Sequence, residues 1–191
     1  MTTETHAASD YQYKSGSNRL GLWLFIVSDS FFFAGLLVAR FYLFGGERPE
    51  LSQLLGFTVT SVLLLSSFFM NRADVAMAHG DQRKFLNNIL ITIVLGTLFL
   101  VGVVGVEWQI APFGVGDNAI ASVFYTMTGF HALHVLTGVI FLFIVYRNGR
   151  KGLYTQERHY PVEAAAVYWH FVDVVWVFFY PALYLMGRVA G

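Results

Sequence analysis

The stretch LGLWLFIVSDSFFFAGLLVARFYLF, residues 20–44, decides the fold. About twenty apolar residues in a helix cross roughly 30 Å of hydrocarbon at 1.5 Å per residue. This run is long enough and carries only Asp29 and, near its end, Arg40 as charges. Four more stretches of the same kind come after it, at Leu51 to Met70, Phe85 to Val106, Ala119 to Tyr146 and Ala164 to Gly187. The pattern predicts an all-α, polytopic membrane protein built as a five-transmembrane-helix bundle. A polar segment, residues 1–19, precedes a membrane domain of residues 20–191.

The breaks between spans are short. Glu47 to Glu50, Arg72 to Lys84, Pro112 to Asp117 and Arg147 to Pro161 supply the charges and prolines that end each helix. The Ala-rich stretch Asn71 to His79 lacks proline and is expected to carry the second helix beyond the membrane surface. No apolar signal-peptide core precedes the first span, so the first helix itself is expected to direct insertion. There is no internal repeat and no second domain.

Composition agrees with lipid as solvent: 56% of residues are hydrophobic, 17% aromatic and 13% charged, well off the balance of a soluble domain. Twelve basic residues balance twelve acidic ones, so no basic surface points to nucleic acid. The chain has no cysteine, which excludes disulfides, thiolate metal sites and cysteine nucleophiles. One side of the predicted topology collects Lys14, Arg19, Arg72, Arg83, Lys84, Arg147, Arg150, Lys151 and Arg158, while the other has Arg40, Arg48 and Arg188. Short cytoplasmic loops carry the excess of Lys and Arg, so the amino terminus is expected in the cytoplasm and the carboxyl terminus outside.

A lipid-exposed charge in mid-membrane costs roughly 2.5 to 3.5 kcal/mol on insertion scales, so embedded ionisable residues need a partner, a cavity or another subunit. They are Asp29, Glu107, His131, His134, His170 and Asp173, with Glu107 at the outer end of its span. Counted from the basic ends of their helices, Asp29, His134, His170 and Asp173 fall in one layer, about 8 Å thick. The i,i+3 spacing puts His131 with His134, and His170 with Asp173, on single helix faces that are available to meet Asp29. Three readings stand: a hydrogen-bonded network ordering the helices, axial ligation of a b-type haem by His134 and His170, and a proton-titrating role for Asp29. A small proton-coupled transporter is a further class, against which the lack of inverted repeats and paired broken helices argues. Gly-rich phosphate loops, a serine elbow and a His-Glu-x-x-His pair are all absent. Three embedded histidines are also too few to ligate two haems and a copper, so the chain has no catalytic centre of that kind.

Four segments carry a family likeness: LGLWLFIVSDSFFFAGL at 20–36, GVEW at 105–108, FYTMTGFHALHVLTGVIF at 124–141 and VEAAAVYWHFVDVVWVFFYPALYLMG at 162–187. With these the chain resembles subunit III of the haem-copper terminal oxidases, in its five-helix bacterial form. The resemblance implies a non-catalytic subunit in aerobic respiration, without metal or haem of its own, packed against the oxidase catalytic subunit I and other subunits that hold haems and copper. It further implies bound phospholipid, protection of the catalytic subunit during turnover, and help with oxygen delivery and proton uptake in a bacterial plasma membrane. Carried over residue by residue, the family's hallmark positions fall on Asp29, Glu107, His131, His134, Glu163, His170, Asp173 and Trp176, with Arg147 at a position associated with lipid headgroups. Arg147, Glu163 and Trp176 are thus the expected lipid-binding residues. Longer members have seven helices and a lipid cleft beside the first two, which this chain lacks. Their residue at position 29 is commonly Glu, whereas Asp is familiar in quinol oxidases. Cytochrome c is the expected electron donor, with quinol as the alternative.

Overall fold

In the computed structural model the backbone is described for residues 2–44 and 46–189, and side chains for 16–44 and 46–188. Helix α1 (Thr2–Phe44) leads into a two-residue strand β1 (Glu47–Arg48), then α2 (Gln53–Ala78) and α3 (Gln82–Leu100). A π-helical segment (Val101–Glu107) continues α3 into a short turn α4 (Trp108–Ile110), after which come α5 (Ala119–Arg150) and α6 (Tyr160–Tyr180). A second π segment (Pro181–Leu185) ends α6, and strand β2 (Arg188–Val189) pairs parallel to β1. Five helices are long and apolar enough to cross a membrane: Gly16–Phe44, Gln53–Ala78, Gln82–Ile110, Ala119–Arg150 and Tyr160–Leu185. The polar segment before the first span is helical in backbone from Thr2, and side chains of residues 1–15 lie outside the described residues.

Local chemistry sets the helix ends. The side-chain oxygens of Ser52, Asp81 and Asn118 accept from the backbone N–H groups of Leu55, Lys84 and Ala121, capping α2, α3 and α5. Pro161 stands in the first turn of α6, where its missing N–H costs nothing. The second helix does continue through Asn71 to Ala78, and it stops at a Schellman turn: Gly80, at φ +74°, donates to the Met77 carbonyl while Asp81 donates to that of Ala76.

The last span is the centre of the bundle. In its most apolar stretch 61% of residues are buried, against 11% in the first span, which lies on the periphery. Trp169 and Trp176 of α6 are fully buried. The backbone of two glycines makes room for Trp169: a Cβ on Gly96 of α3 would stand 2.5 Å from its ring, and one on Gly138 of α5 would stand 3.0 Å away. The indole N–H groups, costly to bury unpaired, donate to Ser66 and Thr60 of α2, each at 3.0 Å.

Contacts between ends define two rims. Arg19 of α1 reaches Glu163 of α6, and Gln82 of α3 donates to the Gly149 carbonyl of α5, so these ends share a basic rim. At the opposite rim Arg40, almost wholly buried, donates to the carbonyls of Met186 (2.7 Å) and Glu47 (3.2 Å). That clamp and the β1–β2 pair tie the first helix to the end of the last.

Candidate functional site

The polar layer expected from the sequence is split into two groups on different helix interfaces. Asp29 of α1 meets His134 of α5, with Nε2 3.0 Å from Oδ2, within ion-pair distance though off the line of a well-formed hydrogen bond. Nδ1 of His134 lies 2.7 Å from the Phe130 carbonyl. A carbonyl only accepts, so Nδ1 bears a proton, and Nε2 of a neutral ring would offer its lone pair to a carboxylate oxygen. The approach is attractive only when one extra proton is present, as an imidazolium facing a carboxylate or as a neutral ring facing a carboxylic acid. Phe33 packs edge-on against the imidazole at 4.8 Å, and the Tyr168 hydroxyl donates to the His134 carbonyl. Beside this pair opens an apolar crevice of about 410 Å³ that His134, Tyr168, Leu22, Phe25 and Phe141 help to line.

The second group joins α2 to α6. Nδ1 of His170 is 3.2 Å from the Ser67 hydroxyl, and Asp173 stands one turn further along the same face of α6. Asp74, one turn beyond Met70 on α2, lies within electrostatic range of His170 and of Glu163 and His159 at the rim. One oxygen each of Asp74 and Asp173 is buried without a hydrogen-bond partner. His170 and Asp173 therefore share a face as expected, but that face turns to α2 rather than to Asp29.

His131 parts from His134 altogether. It is fully buried, stacked on Trp176 at 4.8 Å and edge-on to Phe99 at 5.6 Å, and neither ring nitrogen has a hydrogen-bond partner. Glu107, at the outer end of its span, is buried as well: the Tyr184 hydroxyl donates to its Oε2, while Oε1 has no partner. Glu107 and Tyr184 belong to the two π segments, whose i→i+5 bonding inserts extra residues per turn and rotates the helix beyond them.

The residues expected to touch lipid have different surroundings. Arg147 lies at the end of α5, only partly covered by its neighbours. Glu163 is held by Arg19 at 2.6 Å and by His159 at 3.4 Å. Trp176 is fully buried with its N–H on Thr60, so its ring belongs to the bundle interior. Among the described residues no three His, Asp or Glu side chains converge as a metal site would need. His134 and His170, the pair considered for haem ligation, sit on separate interfaces with different partners. Asp74 and Ser67 were not among the residues expected to matter. The available signal was their spacing of seven residues, two turns along one face of α2.

The family model for cytochrome c oxidase subunit III matches residues 3–188. The chain belongs to the cytochrome c oxidase subunit III family. Among its relatives, cytochrome c oxidase subunit 3 of Thermostichus vulcanus is 35% identical over 96% of this chain and 95% of its own length. Cytochrome c oxidase subunit 3 of Dasypus novemcinctus is 37% identical, and that of Bos taurus 36%, each over 88% of this chain and 69% of the relative. As a member of the subunit III family it is a multi-pass membrane protein. The membership fits the geometry, in which embedded polar residues join one helix to another.

Proposed function

We propose that this chain is the non-catalytic subunit III of an oxidase fed by cytochrome c, stabilising the catalytic subunit I, holding phospholipid, and aiding oxygen delivery and proton uptake. The relatives' shared name supports cytochrome c as donor. The haems and copper belong to the partner subunits, and this chain binds none. The observation that carries the reading is the Asp29–His134 pair beside an apolar crevice open to the side of the bundle. A carboxyl and an imidazole at ion-pair distance, set in lipid, bring two ionisable groups together at the side of the bundle without moving any helix. The crevice accepts an acyl chain, with the phospholipid headgroup at the basic rim near Arg147. Nonpolar oxygen partitions into such a lipid-filled surface more readily than into water. The rim rich in Lys and Arg faces the cytoplasm of a bacterial cell, and the Arg40 rim faces outward.

The test is Asp29→Asn in the assembled oxidase. Asn removes the ionisable carboxyl yet occupies nearly the same volume, so the subunit stays assembled while the enzyme loses activity earlier during sustained turnover. Unchanged turnover and lifetime would make Asp29 architectural. If removal of the whole subunit left both oxygen affinity and turnover lifetime unaltered, the stabilising and oxygen-delivery roles would fall together.

A further inference from the structure

A set of titratable groups separate from Asp29 and His134 lines the α2–α6 interface from the basic rim inward. At the rim Glu163 is bracketed by Arg19 and His159. One layer deeper Asp74 lies within electrostatic range of Glu163, His159 and His170. Deeper again His170 is 3.2 Å from Ser67, and Asp173 follows one turn further on the same face of α6. From Glu163 to Asp173 is ten residues of α6, a rise of about 15 Å, half the roughly 30 Å hydrocarbon thickness. Exposure falls along this line: Arg19 is largely exposed, Asp74 and His170 are half-buried, and Asp173 is only 7% exposed.

The count of donors at this interface falls short of the acceptors. Ser67 has one hydroxyl proton, and a neutral His170 has one N–H. Against these stand the four oxygens of Asp74 and Asp173, of which one on each residue is buried with no donor. A buried carboxyl oxygen without a donor is destabilising, so the fold gains whenever one is supplied. No amide or guanidinium side chain bonds to these two oxygens. Water and added protons are the donors that fit.

Above Asp173 the line stops. The next turn of α6 brings Trp176, fully buried, bonded to Thr60 and packed on His131 and Phe99. The one titratable member of that aromatic plug is His131, whose nitrogens have no partner.

We infer that the α2–α6 interface is a blind proton path that exchanges protons with the basic rim alone, with Asp173 as its terminal acceptor and Asp74 and His170 as the steps between. A proton from bulk water at Glu163 and His159 passes by way of Asp74 and His170 to the Asp173 carboxylate, giving the neutral acid, and returns by the same path. Nothing crosses the membrane. The site binds protons, and it serves as a store beside the catalytic subunit. It extends the proton-uptake reading above to a second set of residues and does not depend on Asp29.

The experiment is infrared difference spectroscopy of the assembled oxidase, oriented in lipid vesicles, with pH changed on one side at a time. On acidification at the Arg19 rim, a carboxylic-acid carbonyl band is expected in the parent and missing in Asp173→Asn. Acidifying the Arg40 rim is expected to leave it unchanged. Asp74→Asn sits at a half-exposed position and keeps its volume. It is expected to retain the band but slow its appearance by about a hundredfold, the low end of what a positioned proton-transfer group contributes. No Asp173-dependent band, a band that tracks the Arg40 side, or an unslowed response in Asp74→Asn would each overturn the inference. Asp29→Asn is the control: it leaves this band in place even if turnover lifetime fails to respond to it, so this inference and the reading of Asp29 fail separately.

Discussion

Removing one oxygen atom from Tyr184 tests whether the two π segments are held together by a hydrogen bond or only by apolar packing. The Tyr184 hydroxyl donates to Oε2 of Glu107, and both residues are almost wholly buried. Tyr184→Phe keeps the ring, its contact with Tyr180 at 5.1 Å and its fit over Gly56, so no cavity term enters. What is lost, among the described residues, is the only side-chain donor to a carboxyl whose other oxygen already has no partner. Leaving a buried polar group unsatisfied costs about 1–3 kcal/mol, so a loss near 2 kcal/mol is expected. For a domain of this length that is a fall of about 4–8 °C in the unfolding midpoint. Heating the detergent-solubilised oxidase while tracking release of this subunit measures it. Glu107→Leu should cost a comparable amount through the stranded hydroxyl. The double variant should be about 1–2 kcal/mol less damaging than the two single effects added, because neither partner remains to be stranded. A midpoint shift under about 1 °C for Tyr184→Phe, with additive behaviour in the double variant, would refute the reasoning and leave the π segments to packing.

Gly96→Val places a side chain where a Cβ would already stand 2.5 Å from the Trp169 ring, so it should cost about 1–3 kcal/mol or displace the indole from Ser66. Gly35→Ala, with nothing within 4 Å of the new Cβ, should be stabilising by about 0.5–1 kcal/mol, and thermal midpoints of the two variants distinguish packing from propensity. Asp81 caps α3 between two spans, and its hydrogen bonds with Lys84 hold its carboxyl below the usual carboxylate range. A carboxyl lowered in the folded state adds stability that is fully present above its ordinary pKa and lost as pH falls through the lowered one. Exchange protection of the first turn of α3 should therefore weaken at acid pH in the parent and be insensitive to it in Asp81→Asn, which caps without a charge.

The spans were legible because crossing hydrocarbon demands a length of apolar helix, and residues 20–44 meet that demand within one window. Their ends drifted by a few residues for local reasons: Ser52, Asp81 and Asn118 set the caps, and the Ala-rich stretch to Ala78 carried α2 outward. The π segments were not legible. Val101–Glu107 reads as an ordinary β-branched and glycine-rich helix end, and its extra residue per turn goes with tertiary facts such as Gly102, whose Cβ would stand 2.5 Å from Val59. That local rotation goes with the burial of Glu107, at the outer end of its span, against Tyr184.

Depth along a helix can be counted from sequence, but azimuth toward a particular neighbour cannot. Residues three apart on a helix differ by about 60° around its axis, close enough to share a face yet wide enough to meet different partners. On α5 that angle sends His134 to Asp29 and His131 to Trp176, because α5 faces α1 on one flank and α6 on the other. On α6 the same spacing keeps His170 and Asp173 together, since the long helix α2 covers that face and sets Ser67 against His170. A single polar layer in depth thus resolves into two proton-bearing interfaces that share no hydrogen bond or ion pair among the described residues. Through His134 the Asp29 pair adjoins a largely apolar crevice, where a change at the pair is felt by whatever packs at the side of the bundle. Asp173 borders a line of polar groups that leads back to the rim, where the same change is exchanged with water. The difference between these two carboxyls lies in their neighbours, which is why variants at positions 29 and 173 should report on different functions of one bundle.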